Sequence, residues 1–235
     1  MVPTAERRWV LLKREKYFMD KFEIKKEQIK TLCETKFLKM YDIQYKEGKH
    51  YYNATRRNVE DIVAVKSCEE FQNMLPDAVT IAVVVRLPGK EPSLLLSYEY
   101  RYPVSQFLLS PVAGLIDEED RLESDPLISA ARREIKEECG LTVKDTDKIY
   151  VINPCAFSSP GMTDESNAFL CAEITVDNLS ELNQNGAVGG EVFDGFELIG
   201  IEEAKELFFK GRDKNGNFFS LATWAVLGFF MGFER

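Results

Sequence analysis

The stretch at residues 77–86, DAVTIAVVVR, constrains this chain most. It is β-branched and almost wholly apolar, the pattern of a central strand buried on both faces. A turn with Pro88, Gly89 and Pro92 follows, and residues 93–100 return as a second strand. Further on, 148–157, 167–176 and 193–201 read as strands, while 202–210 and 220–233 read as helices. Strands before and after one charged helix, closed by C-terminal helices, predict an α/β sandwich around a mixed sheet. The most apolar run, 221–233, is shorter than the roughly 20 residues a bilayer span needs, so it reads as a core-packed helix.

Ahead of this body, residues 3–33 are rich in charge and carry Trp9, Leu12, Phe18, Phe22, Ile29 and Leu32 at helical spacing. One or two amphipathic helices are expected there. From Thr35 the period shortens, and the segments flanking Glu47-Gly48-Lys49 predict a β-hairpin. Residues 62–66 read as a third short strand. The chain therefore divides into an N-terminal extension, 1–60, of helix plus hairpin, and a main domain, 61–235.

The charged helix is the chemical centre. Pro126 suits a first helical turn, and Gly140 stands where a helix ends. Leu127, Ala130, Ala131 and Ile135 form its apolar side, while Glu134, Glu137 and Glu138 fall at i, i+3 and i+4. Like charges so crowded repel, and a hard divalent cation with oxygen ligands, Mg²⁺ by default, relieves them. The competing reading of this spacing is a solvated acidic face.

Composition narrows the classes. A 235-residue chain with 45% hydrophobic residues has ample core material, and a net charge of −9 argues against non-specific nucleic-acid binding. Cys33, Cys68, Cys139, Cys155 and Cys171 are odd in number and scattered, which fits a reducing compartment and no zinc or disulfide framework. His50 is the sole histidine, leaving little for a Cys/His or Ser/His/Asp apparatus, and it reads as a surface residue at a strand start. The N-terminal residues are charged throughout and show no secretory pattern, so a cytoplasmic location is expected.

The string Arg133-Glu134-Ile135-x-Glu137-Glu138-x-Gly140-Leu141 resembles the second half of the Nudix box, with Gly114 as its leading glycine. The first half departs: counted back from Arg133, Asp125 takes the place of the family's Glu, and the loop from Gly114 is longer by a segment near 119–123. Three more stretches resemble the ADP-ribose and nucleoside-diphosphate-sugar pyrophosphatases. They are Tyr100-Arg101-Tyr102-Pro103, Val112-Ala113-Gly114-Leu115-Ile116-Asp117, and Ser159-Pro160-Gly161-Met162-Thr163-Asp164-Glu165. The resemblance implies the Nudix α/β/α sandwich and metal-dependent hydrolysis of a pyrophosphate bond, with Mg²⁺ or Mn²⁺ as cofactor.

It also implies roles. Glu134, Glu137, Glu138 and the Ala113 carbonyl would ligate metal, Arg133 would brace the box, Glu165 would be the general base, and Arg101 would clamp the diphosphate. Asp125 would brace Arg133 with a shorter reach. A homodimer with the extension at its interface is implied as well, with Tyr51, Tyr52 and Phe107 as candidates for stacking on a base. Ser110 stands where this branch often has a metal-binding Glu, which shifts the burden to Asp117, Glu118 or Glu119 or lowers the ion count. The rivals are a non-catalytic Nudix sensor, a Nudix hydrolase for sugar nucleotides or modified dNTPs, and a protein with a merely acidic helix.

Overall fold

The structure is a computed structural model that describes residues 23–186 and 190–233. Its first unit is a three-stranded antiparallel sheet of β1 (Ile29–Glu34), β2 (Lys39–Lys46) and β3 (Lys49–Thr55), in the order β1-β2-β3. The expected hairpin is β2–β3, turning at Gly48 in a left-handed conformation (φ 64°). The helical expectation for the N-terminal stretch falls largely outside the described residues, and where it does not, it is corrected. Lys26–Gln28 is a 3-10 turn and Ile29–Glu34 a strand whose Ile29 pairs with Ile43. Strand pairing against β2 outweighs the helical spacing of Ile29 and Leu32.

The expected third strand at 62–66 is likewise absent. Val63–Val65 is a 3-10 turn, tied down by the Val63 N–H donating to Asp164 Oδ2 at 2.9 Å. Ile62, fully buried, packs with Tyr41 and Ile43 under the small sheet. A short helix α1 (Cys68–Gln72), capped by Ser67, leads into the main sheet.

That sheet holds β4 (Ala78–Arg86), β5 (Ser93–Arg101), β6 (Gln106–Ser110), β7 (Val112–Leu115), β8 (Lys148–Phe157), β9 (Ser166–Thr175) and β10 (Phe193–Ile199). The order is β10-β5-β4-β9-β8, with β6 on β5 and β7 on β4. Only β4 and β9 run parallel; the other pairs are antiparallel. β4 is buried along nearly its whole length, as its apolar run requires. Pro154 is tolerated in β8 because that strand lies at the sheet edge.

Period-two alternation sorts the side chains to two layers. Val79, Ile81, Val83 and Val85 of β4 and Leu95 of β5 pack with Ala130, Ala131 and Ile135 of α3 (Pro126–Cys139). The intervening Ala82, Val84, Leu94 and Leu96 pack with α4 (Ile201–Lys210) and α5 (Leu221–Met231), through Leu207, Leu227 and Phe230. Helices on both faces of a mixed sheet make this an α/β/α sandwich. A one-turn helix, α2 (Glu118–Arg121), links β7 to α3. No described helix is long and apolar enough to cross a membrane.

Candidate active site

α3 is delimited by local chemistry. The Asp125 carboxylate accepts from the Ile128 N–H at 3.2 Å, Pro126 occupies the first turn, and Gly140 ends the helix in the left-handed region (φ 73°). Lys136 reaches the Gly140 carbonyl at 2.9 Å, and the Asn183 N–H takes that of Cys139. Asp125 is therefore a helix cap and does not brace Arg133.

The brace is Asp120. Its Oδ2 accepts from Arg133 Nη2 at 2.8 Å and Nε at 3.2 Å, and its Oδ1 from the Ser129 hydroxyl at 2.8 Å. Burial pushes the Asp120 carboxyl up, but these bonds and the Asp117 N–H outweigh it and hold it below the usual range. Counted forward from Gly114, Asp120 occupies the family's Glu position, so the added residues lie after it, before α3. Arg133 also donates to the Leu115 carbonyl at 2.8 Å, fixing the end of β7 to the helix.

The three box glutamates separate. Glu137 is turned to Arg133 at 3.1 Å, with its side chain one-third exposed. Glu134 and Glu138 are both buried. Glu134 accepts from Arg133 Nη1 at 2.7 Å, and a Cβ at position 114 would overlap its carboxylate, which explains Gly114. Among the described residues, the Glu138 carboxylate has a single long bond, 3.4 Å, from the Ala113 N–H. Burial, against the pull of Arg133, pushes Glu134 up to about 7. Burial together with the charges of Glu134 and Glu99 pushes Glu138 up to about 9.

Two buried, mutually repelling carboxylates beside a backbone strand form a donor set that fits a hard divalent cation. Among the described residues, no three Asp, Glu, His or Cys side chains yet converge as a complete cage. The negative surroundings extend beyond the box. Glu99 on β5 and Glu191, just before β10, both act on Glu138, and neither was singled out from the sequence. Asp117 lies 3.5 Å from Arg133.

Arg101 pairs with Glu99 at 2.5 Å, its side chain half-exposed at the strand end. Glu165 follows the SPG loop and pairs with Arg56 at 3.0 Å. Among the described residues, none of its hydrogen bonds or ion pairs reaches α3. The loop itself is fastened to β3: the Ala54 N–H donates to the Met162 carbonyl at 3.0 Å, and the Tyr51 hydroxyl to that of Gly161 at 2.8 Å. Tyr52 is exposed on the same hairpin. Phe107 instead stacks edge-on with Tyr100 against the α5 side of the sheet. His50 pairs with Asp42 at 2.8 Å on the small sheet, far in register from the box strands.

Between the end of β3 and the box loop opens a cleft of about 580 Å³, lined in part by Arg56, Arg57, Lys66, Arg121, Asp117 and Leu115. Its four cations share the lining with four carboxylates, Asp61, Asp77, Asp117 and Glu118, and Arg57 is paired with Asp77 at 2.8 Å.

An α/β/α sandwich with a carboxylate-bearing helix behind an Ala-Gly strand end resembles the Nudix hydrolases, and the ADP-ribose pyrophosphatases among them. No protein-family model matches the chain. It is similar to an uncharacterised Nudix hydrolase of Schizosaccharomyces pombe, 29% identical over 133 residues, which are 56% of this chain and 60% of that protein. It is also similar to an ADP-ribose pyrophosphatase of Saccharomyces cerevisiae, 30% identical over 99 residues, 42% of this chain and 39% of that protein. The chain thus spans three-fifths or less of the length of these relatives. In fold it matches the crystal structure of an ADP compounds hydrolase, with a TM-score of 0.50 and 14% identity over 86% of this chain and 91% of the other.

Proposed function

We propose that this chain is a Nudix pyrophosphohydrolase that splits ADP-ribose, or a related nucleoside diphosphate linked to another moiety, using a divalent cation, Mg²⁺ or Mn²⁺. The observation that carries this reading is the pair of buried carboxylates, Glu134 and Glu138, packed against Ala113 and Gly114. Left as anions they are costly in a low-dielectric site, and a cation offsets that cost.

Glu134 and Glu138 would hold the cation, with the Ala113 carbonyl and Glu137 in reach of the same end of α3. A bound cation supplies charge neutralisation on the phosphate oxygens and a more acidic water. Arg133 keeps the β7 end and α3 in register and touches no substrate. Arg101 and the cations of the cleft suit a diphosphate, since guanidinium groups match phosphate oxygens in pairs. Glu165 is the candidate general base, held by Arg56 until substrate draws that arginine away. Residues 1–60 serve as an extension and 61–235 as the hydrolase domain, with two copies meeting through the exposed Leu32, Phe37, Leu38 and Met40.

The test is phosphomonoester release from ADP-ribose, NADH, nucleotide sugars and dNTPs, with Mg²⁺ and with EDTA. Mg²⁺-dependent cleavage favouring ADP-ribose is expected. Turnover that survives EDTA would remove the cation, and preference for another compound would replace the substrate.

A further inference from the structure

Glu165 stands between two residues that are each held from outside the SPG loop. On one side, Asp164 Oδ2 accepts from the Val63 N–H at 2.9 Å. On the other, the Ser166 N–H and hydroxyl donate to Asp77 Oδ2 at 2.9 and 3.1 Å, and the Asp77 N–H donates to the Ser166 carbonyl at 3.0 Å. Asp77 reaches the box as well, because its carbonyl accepts from the Ile116 N–H at 3.0 Å, just past β7. One guanidinium joins the two sides. Arg57 Nη2 lies 2.8 Å from Asp77 Oδ1, and its Nε lies 4.0 Å from Asp164 Oδ2.

We propose that Arg57 is a positioning residue of the hydrolytic site: from the end of the extension it bridges Asp77 and Asp164, and so sets where Glu165 stands relative to the box strand. The inference rests on the reading of Glu165 as general base. The Arg57 side chain is 14% exposed and the two carboxylates 11% each, so the cation is placed where its charge is needed rather than screened. Its backbone is anchored to the small sheet: the N–H donates to the Thr55 hydroxyl at 3.1 Å, and the carbonyl accepts from the Tyr41 hydroxyl at 3.4 Å.

Arg57 Nε and Asp164 Oδ1 are both buried with no hydrogen-bond partner among the described residues. Orphans of this kind are costly, and a small shift of the loop brings the carboxylate of Asp164 onto the guanidinium. Glu165, the next residue, moves with it. The neighbouring Arg56 differs, since its side chain is 42% exposed and pairs with Glu165 itself.

The experiment is steady-state hydrolysis of ADP-ribose with Mg²⁺ by the full chain, with thermal unfolding of every variant read alongside. Arg57→Lys keeps the charge but loses the fork that spans two carboxylates. It is expected to lower kcat by about tenfold to a hundredfold, the penalty for a slightly misplaced group, and to leave KM little changed. Asp164→Asn keeps the side chain's shape and the acceptor for Val63, and lowers kcat in the same way even if Arg57→Lys folds poorly. In a Glu165→Gln background, adding Arg57→Lys costs no further kcat, because residues that act as a unit are not additive. A fall in Tm with kcat unchanged overturns the proposal, as does an equal slowing in both backgrounds. Parent turnover slowed by Glu165→Gln but by neither Arg57→Lys nor Asp164→Asn removes the positioning role alone. No cleavage by the parent chain removes the hydrolase reading and this proposal together.

Discussion

Asp120 and Asp125 flank one short loop and do different work. Asp120 is buried against Arg133, while Asp125 caps α3 from the surface. Asp120→Asn is expected to lower stability by about 1–3 kcal/mol, discounted from a fully buried pair because Arg133 is partly exposed. It should cut turnover as well, since the β7 end loses its tie to the helix. Asp125→Ala should cost about 1 kcal/mol, as an N-cap does, and leave kcat near the parent value. Urea unfolding and initial rates on both variants check this, and equal effects on kcat would sink the distinction. Counting back from Arg133 misassigned these two residues, because the sequence shows how many residues were added but not on which side of the carboxylate. Glu99 was invisible for another reason: only the folded sheet brings its charge within range of Glu138.

At the scale of elements, α3 and the central strands were legible because their signals are periodic and strong. The proline and terminal glycine of α3 fall where its chemistry predicts, and the apolar run of β4 is a buried strand. The 3-10 turn at Val63–Val65 was misread, since a short apolar run says nothing about whether a partner strand lies beside it. The extension's contact with the SPG loop was equally hidden, as Arg56 and Glu165 are distant in sequence. Gly114→Ala belongs here: its added methyl would meet the Glu134 carboxylate, so the variant must displace that side chain. Loss of cation-dependent thermal stabilisation with a native far-UV spectrum is expected, and an unchanged Mg²⁺-induced rise in Tm would count against Glu134 as a ligand. Tyr51→Phe removes the bond to Gly161 and should raise KM more than it lowers kcat if the loop shapes substrate entry, measurable by steady-state kinetics.

For the whole molecule, the acidic site predicts how stability depends on pH. Glu138 and Glu134 have folded-state pKa values raised to about 9 and about 7 from 4.5. Between the ordinary and the raised values, the folded state binds more protons than the unfolded one, so stability falls as pH rises. In EDTA, the unfolding free energy should therefore decline from about pH 5 towards pH 9, by at most about 1.4 kcal/mol per pH unit for each group, and Tm should fall with it. Mg²⁺ should flatten that decline, because a cation replaces the protons. A Tm in EDTA that climbs steadily over this window would contradict the burial of the pair. Assembly is a property of the same scale. Sedimentation should give a dimer, and Leu38→Glu with Met40→Glu should shift it to monomer if the small sheet forms the contact.

In the loop between Asp120 and Pro126, Arg121 lines the cleft and Asp125 caps α3, but Leu122 between them is almost wholly exposed. Closing a longer loop costs only about 0.6 kcal/mol per doubling of length. The guanidinium and its carboxylate are fixed in space by the packed strand and helix, so the chain between them is free to vary. That makes 122–124, past Arg121 and ahead of the Asp125 cap, a natural socket for a short inserted tag or a reporter dye.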